Sequence, residues 1–295
     1  MAITASMVKE LRELTGAGMM DCKKALEESG GDMQKAVDIL RTKGLADLAK
    51  RAGRATNEGV IAAWTNDLGR VGAMVEVNCE TDFVARNAEF TTFASAIAQQ
   101  VAVDAPSSVD ALPAMQWKRN PSLTIEHALG ELVGKLGENI VVKRFMRFDV
   151  PENGMVSYYI HGLGRIGVMV EIGGSDHTDP AVVALAKDVA MHIAASQPIC
   201  VLREDVPAEI VEHETGIYKA QAAASGKPEP IQVKIAEGRL EKFYKEVCLV
   251  EQPFVKDPDK TVEQLVAETS KAIGKPVRVV RFERLVLGGA ADSQP

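Results

Sequence analysis

The chemistry open to this chain is concentrated in one stretch, Thr81-Asp82-Phe83-Val84-Ala85-Arg86-Asn87. Asp82 is a carboxylate, Arg86 a long cation, and Phe83 an aromatic ring with no evident core period. Two readings fit these residues. In one, the segment serves something outside the fold, because binding residues gather on loops held by a rigid scaffold. In the other it opens a helix: Thr81 or Asp82 caps the first turn and Phe83 tucks back against the sheet. Covalent chemistry has little to work with. There is no GxxxxGK[ST], no GxSxG and no HExxH, and no GxGxxG is expected after a strand. His127, His161, His177, His192 and His213 are scattered. Cys22, Cys79, Cys200 and Cys248 lie too far apart for a zinc knuckle or a CxxC redox pair, and are expected to be reduced and mostly buried. A hydrolase or metalloenzyme is disfavoured, and no metal or cofactor site is expected.

What must position the segment is a duplicated core. Gly69-Arg70-Val71-Gly72-Ala73-Met74-Val75-Glu76-Val77 recurs as Gly164-Arg165-Ile166-Gly167-Val168-Met169-Val170-Glu171-Ile172, with six of nine positions identical at an offset of 95. The match runs back to Gly59 and Gly154. Each copy reads as a hairpin, Val60–Thr65 with Gly72–Val77 and Met155–His161 with Gly167–Ile172, turned at a Leu-Gly-Arg. A second match, at an offset of 137, pairs Thr124–Gly137 and Ile140–Arg147 with Thr261–Gly274 and Val277–Arg284. Each copy thus ends in a helix, a glycine stop and a Val/Ile-rich strand. The pattern predicts two α+β subdomains, each an antiparallel sheet of about three strands with helices on one face.

The copies differ between these matches. Aligning the helix Ala96–Ala102 with Ala184–Ala190, at an offset of 88, leaves seven extra residues in the first copy, in the stretch that holds Thr81–Asn87. A loop that one copy has and its sister lacks is not needed to close the shared fold. The second copy carries 49 extra residues at about 197–246. They read as a helical hairpin, Ala208–Ser225 and Pro230–Glu246, with Ile210, Ile217, Ile231, Ile235, Phe243 and Val247 as its seam. That seam leaves a homodimer open.

Ahead of the core stand three short helices. Thr4 caps the first, which carries Met7, Val8, Leu11 and Leu14; Gly16 and Gly18 break it. The second is Met19–Glu28, with Met20, Ala25 and Leu26 expected in the core. The third is striped by Met33, Ala36, Val37 and Leu40. Met19 and Met20 point about 100° apart. Either one is core and one incidental, or the pair is an adaptable contact for a partner. The organisation expected is a partner-docking head over 1–50, a linker over 51–57, core subdomains over 58–150 and 151–288, and a tail over 289–295.

Composition fits this picture. With 46% hydrophobic and 25% charged residues the chain is ordinary globular material. Its 34 Lys and Arg against 41 Asp and Glu give a net charge of −7, wrong for a general nucleic-acid binder. No apolar run is long enough for a membrane span, and the N-terminus goes straight into a helix start, so a cytoplasmic protein that meets another protein is expected.

The motifs carry a resemblance as well. Leu11-Arg12-Glu13-Leu14-Thr15-Gly16-Ala17-Gly18-Met19-Met20-Asp21-Cys22-Lys23-Lys24-Ala25-Leu26 and Glu76-Val77-Asn78-Cys79-Glu80-Thr81-Asp82-Phe83-Val84-Ala85-Arg86-Asn87 stand out, with His161-Gly162, Met191–Ala195, Glu237-Gly238-Arg239 and Gln252-Pro253-Phe254 further on. Across nearly its whole length the sequence resembles the bacterial elongation factor Ts family, guanine-nucleotide exchange factors for elongation factor Tu. Larger members continue past the last strand into a helical module that touches Tu, whereas only Leu287 to Pro295 follows here.

The resemblance implies that the head, similar to ubiquitin-associated domains, docks on the nucleotide-binding domain of Tu through Arg12, Met19, Met20 and Lys23. It implies that Thr81, Asp82, Phe83 and Val84 form the segment that displaces the nucleotide's Mg²⁺, with Phe83 wedged between two helices of Tu. Arg86 and Asn87, which flank that segment, are expected to bind the partner as well. His161 matches a further position that faces Tu, in the subdomain that leans on the third domain of Tu. Two rivals stand beside the exchange factor: an adaptor whose head recruits another partner, and an enzyme built across the two copies.

Overall fold

The computed structural model describes residues 2–289. The head is α1 (Ala5–Thr15), α2 (Met19–Glu28) and α3 (Met33–Arg51). The first sheet takes β1 (Glu58–Thr65), β2 (Val71–Cys79) and β3 (Ile140–Asp149) in the order β1-β2-β3, with α4 (Asp82–Ala85), α5 (Ala88–Asp104) and α6 (Ile125–Leu136) between its last two strands. The second sheet takes β4 (Gly154–His161), β5 (Ile166–Gly173) and β8 (Arg278–Val286) in the order β4-β5-β8. Between β5 and β8 come α7 (Pro180–Ser196), α8 (Ala208–Ala223), α9 (Glu229–Val247), the short pair β6 (Pro253–Phe254) and β7 (Asp257–Thr261), and α10 (Val262–Ile273). The fold is α+β: along the chain, a helical head and then two three-stranded sheets with their helices. By internal contacts the described chain forms two compact units, residues 2–62, 74–146 and 163–165, and residues 63–73, 147–162 and 166–289.

The head forms where its caps and stripes require. Thr4 accepts the Met7 amide at 3.3 Å, Asp32 accepts that of Lys35 at 3.0 Å, and Gly16 ends α1 in the left-handed conformation. Leu11, Cys22, Ala25, Leu26, Ala36 and Val37 make its core. Met20 is not among them. It precedes Cys22 by two residues, about 200° round the helix, and is 62% exposed. Met19, in the first turn, is 60% exposed. The helix α3 runs well past the stripe that ends at Leu40, because its second half packs on α6.

That crossing depends on two glycines. A Cβ on Gly44 would lie 3.0 Å from the Gly130 carbonyl carbon, and one on Gly130 would lie 3.0 Å from that of Gly44. Gly130→Val therefore has to push α3 off α6. A loss of about 1–3 kcal/mol is expected from overpacking, read as a lowered Tm; an unchanged Tm would mean that the helices need no such approach.

The two copies repeat in detail. Glu76 meets Arg144 at 2.7 Å, and Glu171 meets Arg281 at 2.7 Å, each a buried glutamate on the middle strand paired to an arginine on the third. In the second unit, Val168, Val170 and Ile172 of β5 pack on Val182, Leu185, Val189 and Ile193 of α7. The helices α5 and α7 correspond at an offset of 92, not 88. Buried Phe90, Phe93, Ile97 and Val101 match buried Val182, Leu185, Val189 and Ile193, and the buried polar Gln100 matches His192. Asn87 and Asp179 are the N-caps, and Ala105 and Gln197 end the helices at positive φ, 49° and 52°. A helical stripe slipped by four residues nearly repeats itself, so sequence alignment settled one turn out. The strand offset of 95 less the helix offset of 92 leaves three extra residues before α5, not seven. They are taken up by α4, a helical turn without a counterpart in the second copy.

The insertion in the second copy is a helical hairpin, as its pattern indicates. Cys200, Val206 and Cys248 pack at its base with Ile210, Val211, Phe243, Tyr244 and Val247. Further out Ala222 and Ala236 are buried and Ile217 and Ile235 half-buried, while Ile231, in the first turn of α9, is exposed. All four cysteines are free and buried. Against the expectation of no GxGxxG after a strand, Gly162-Leu163-Gly164-Arg165-Ile166-Gly167 has that spacing and follows β4 directly. It turns β4 into β5 and opens no helix, so it is no dinucleotide fingerprint.

Candidate partner-binding surface

The segment singled out from sequence is held at both ends. Strand β2 stops at Cys79, and Thr81 takes extended dihedrals and caps α4, its Oγ1 accepting the Val84 amide at 3.4 Å. One turn later Asn87 caps α5, its Oδ1 accepting the Glu89 amide at 2.8 Å. Between the caps, Val84 and Ala85 face inward and anchor the turn. Phe83 faces the other way and is 83% exposed. The helix-start reading is thus half right: Thr81 is a helix cap, but Phe83 does not tuck back against the sheet. An aromatic side chain left in water gives up about 1.5–3 kcal/mol of burial.

The polar groups around the turn are already paired. Asp82 and Arg86 meet at 2.9 Å on the surface. Glu138, between α6 and β3, takes the backbone into its carboxylate: Oε2 accepts the amides of Glu80 at 3.1 Å and Thr81 at 3.0 Å, and Oε1 accepts the Thr81 hydroxyl at 2.5 Å. Asn139 gives its amide to Glu80 Oε1 at 2.7 Å and its side-chain nitrogen to the Arg54 carbonyl at 2.9 Å. Arg54 reaches Glu80 Oε1 at 3.3 Å. The Asn139 amide, and then the Arg54 charge, hold the Glu80 carboxyl below the usual carboxylate range. The Cys79 thiol beneath the turn is pushed up to about 12, by burial first and by the Glu138 charge second. It stays a neutral thiol that donates to the Thr81 carbonyl at 3.2 Å.

The other residues expected to meet a partner lie elsewhere. Arg12, Met19, Met20 and Lys23 are exposed on the head, with Leu14 as a further exposed apolar side chain that the stripe of α1 had placed inside. His161 ends β4 in the second unit, exposed, its Nδ1 2.9 Å from the Tyr159 hydroxyl. Leu163, two residues on, is 83% exposed at a φ of 58°, and sequence reasoning passed over it. It also missed Glu138 and Asn139. The signal was available: at the offset of 137 they align with Lys275 and Pro276. Among the described residues no group of three or more His, Cys, Asp or Glu could hold a metal ion, and no helix is long and apolar enough to cross a membrane.

Comparison with known proteins shows the family. The family model described as Elongation factor TS matches residues 80–289. An elongation factor Ts of Clostridium perfringens is 49% identical over 292 residues, 99% of this chain and 95% of that protein. One from Clostridium botulinum is 48% identical over 286 residues, 97% of this chain and 93% of that protein. One from Clostridium novyi is 46% identical over 292 residues, 99% of this chain and 95% of that protein. These matches put the chain among the translation elongation factors. It belongs to the elongation factor Ts family.

Proposed function

We propose that this chain is a guanine-nucleotide exchange factor in the cytoplasm: it binds elongation factor Tu carrying GDP, displaces the Mg²⁺ and releases the nucleotide so that GTP can bind. The observation that carries the reading is Phe83, an 83%-exposed ring on a turn braced from below. A ring held out in this way is ready to enter a neighbour's groove without first paying to be ordered. With Asp82 beside it, it would wedge between two helices of Tu and shift the groups that hold Mg²⁺. The metal bridges nucleotide phosphates to protein oxygens, so moving its ligands removes much of the attraction for GDP.

The energetics require more than the wedge. A factor that binds nucleotide-free Tu more tightly than GDP-bound Tu weakens GDP by the same ratio. A ratio of about 10⁴ corresponds to about 5.5 kcal/mol, and one buried Phe contributes about 1.5–3 kcal/mol. The remainder falls to the head, through Arg12, Met19, Met20 and Lys23, and to the second subdomain through His161. No bond is made or broken. The test is release of fluorescent GDP from Tu: substoichiometric amounts of this chain should speed it many-fold, and an unchanged rate would favour an adaptor for some other partner.

A further inference from the structure

We propose that Glu138 and Asn139 are positioning residues that hold the Thr81–Val84 turn ready for its partner; the inference rests on the exchange reading above. The argument comes from the duplication. The sheet, its last helix and its last strand are present in both copies, and α6 and α10 agree at every landmark: caps Thr124 and Thr261, stops Gly137 and Gly274. The two residues after the stop are Glu138-Asn139 in the first copy and Lys275-Pro276 in the second. The second copy therefore closes the same helix and strand without a carboxylate there, and without the amide that Asn139 gives to Glu80. It also has no α4. Clamp and turn occur together in one copy and are absent together from the other, which assigns the clamp to the turn and not to the shared fold.

The geometry says what the clamp does. One carboxylate takes two successive amides and a hydroxyl, three donors from two adjacent residues. That fixes the chain direction immediately before α4. The Thr81 hydroxyl gives its proton to Glu138 and keeps a lone pair for the Val84 amide, so the clamp also orients the cap. On the other side Asn139 holds the Glu80 side chain. With the backbone fixed on both sides of Thr81, and Val84 and Ala85 seated, Phe83 stands in one direction. Without the clamp the turn would sample many directions, and binding would have to order it first.

Amide hydrogen exchange on the free protein reads the clamp without any partner. In Glu138→Ala, and in the volume-preserving Glu138→Gln, the amides of Glu80 and Thr81 should exchange at least about tenfold faster, the loss expected of a charge-assisted hydrogen bond. The β2 amides should keep their protection. GDP release from Tu by either variant should slow about tenfold. Because the clamp acts through Phe83, the pair Phe83→Ala with Glu138→Ala should be within about twofold of Phe83→Ala alone, whereas independent effects would multiply. Unchanged protection at Glu80 and Thr81, equal loss of protection along β2, or multiplying release defects would each overturn the inference. An unaltered chain that leaves GDP release unchanged would instead overturn the exchange reading, and the hydrogen-exchange result would stand apart from it.

Discussion

Phe83→Ala is expected to slow exchange of GDP on elongation factor Tu by about 10–150-fold while leaving the fold as it is. The size follows from the burial a Phe gains on docking, about 1.5–3 kcal/mol, at about 1.4 kcal/mol per decade. The fold is spared because the side chain is 83% exposed in the free protein and its neighbours Val84 and Ala85 carry the anchoring. An exposed substitution of this kind moves stability by no more than about 0.5 kcal/mol. Stopped-flow release of fluorescent GDP gives the rate and a thermal melt gives the stability. A variant that exchanges at the wild-type rate would remove the wedge from the account.

The second large effect is expected at the head. Met19→Asp with Met20→Asp should weaken binding to Tu by about 10–100-fold, as loss of an apolar anchor at the centre of an interface does. Neither side chain contributes to the head core of Leu11, Cys22, Ala25 and Leu26. The double variant should therefore melt like the parent, and a binding isotherm against nucleotide-free Tu separates affinity from folding. An unchanged Kd would take the head's methionines out of the interface.

How much of this the sequence carries depends on what each signal measures. The hairpins were legible because a nine-residue identity fixes register residue by residue, and a strand slipped by one would turn its core side chains to water. The helices of the copies were legible as helices but not in phase: a 3.6-residue stripe hardly distinguishes an offset of 88 from 92, and the caps Asn87 and Asp179 and the left-handed ends at Ala105 and Gln197 decide it. Met20 faces outward because Cys22, Ala25 and Leu26 set the inner face of α2, which apolar type alone does not reveal. The length of α3 is illegible because Gly44 and Gly130 let its second half meet α6 by what they lack. At the candidate site the missing period of Phe83 leaves its direction open between outward and tucked on the sheet, and the fold decides it. The clamp was not legible, since Glu138 lies 57 residues from Thr81 and only the fold brings them together.

The most direct test of the central claim, that this chain loosens GDP by dislodging the metal, is the rate of fluorescent GDP release from Tu with and without the chain, at millimolar Mg²⁺ and again after chelation. The account predicts a large acceleration when Mg²⁺ is abundant and a much smaller one once the metal has been stripped, because the step the chain promotes has then already occurred. The same fold-acceleration under both conditions would contradict it.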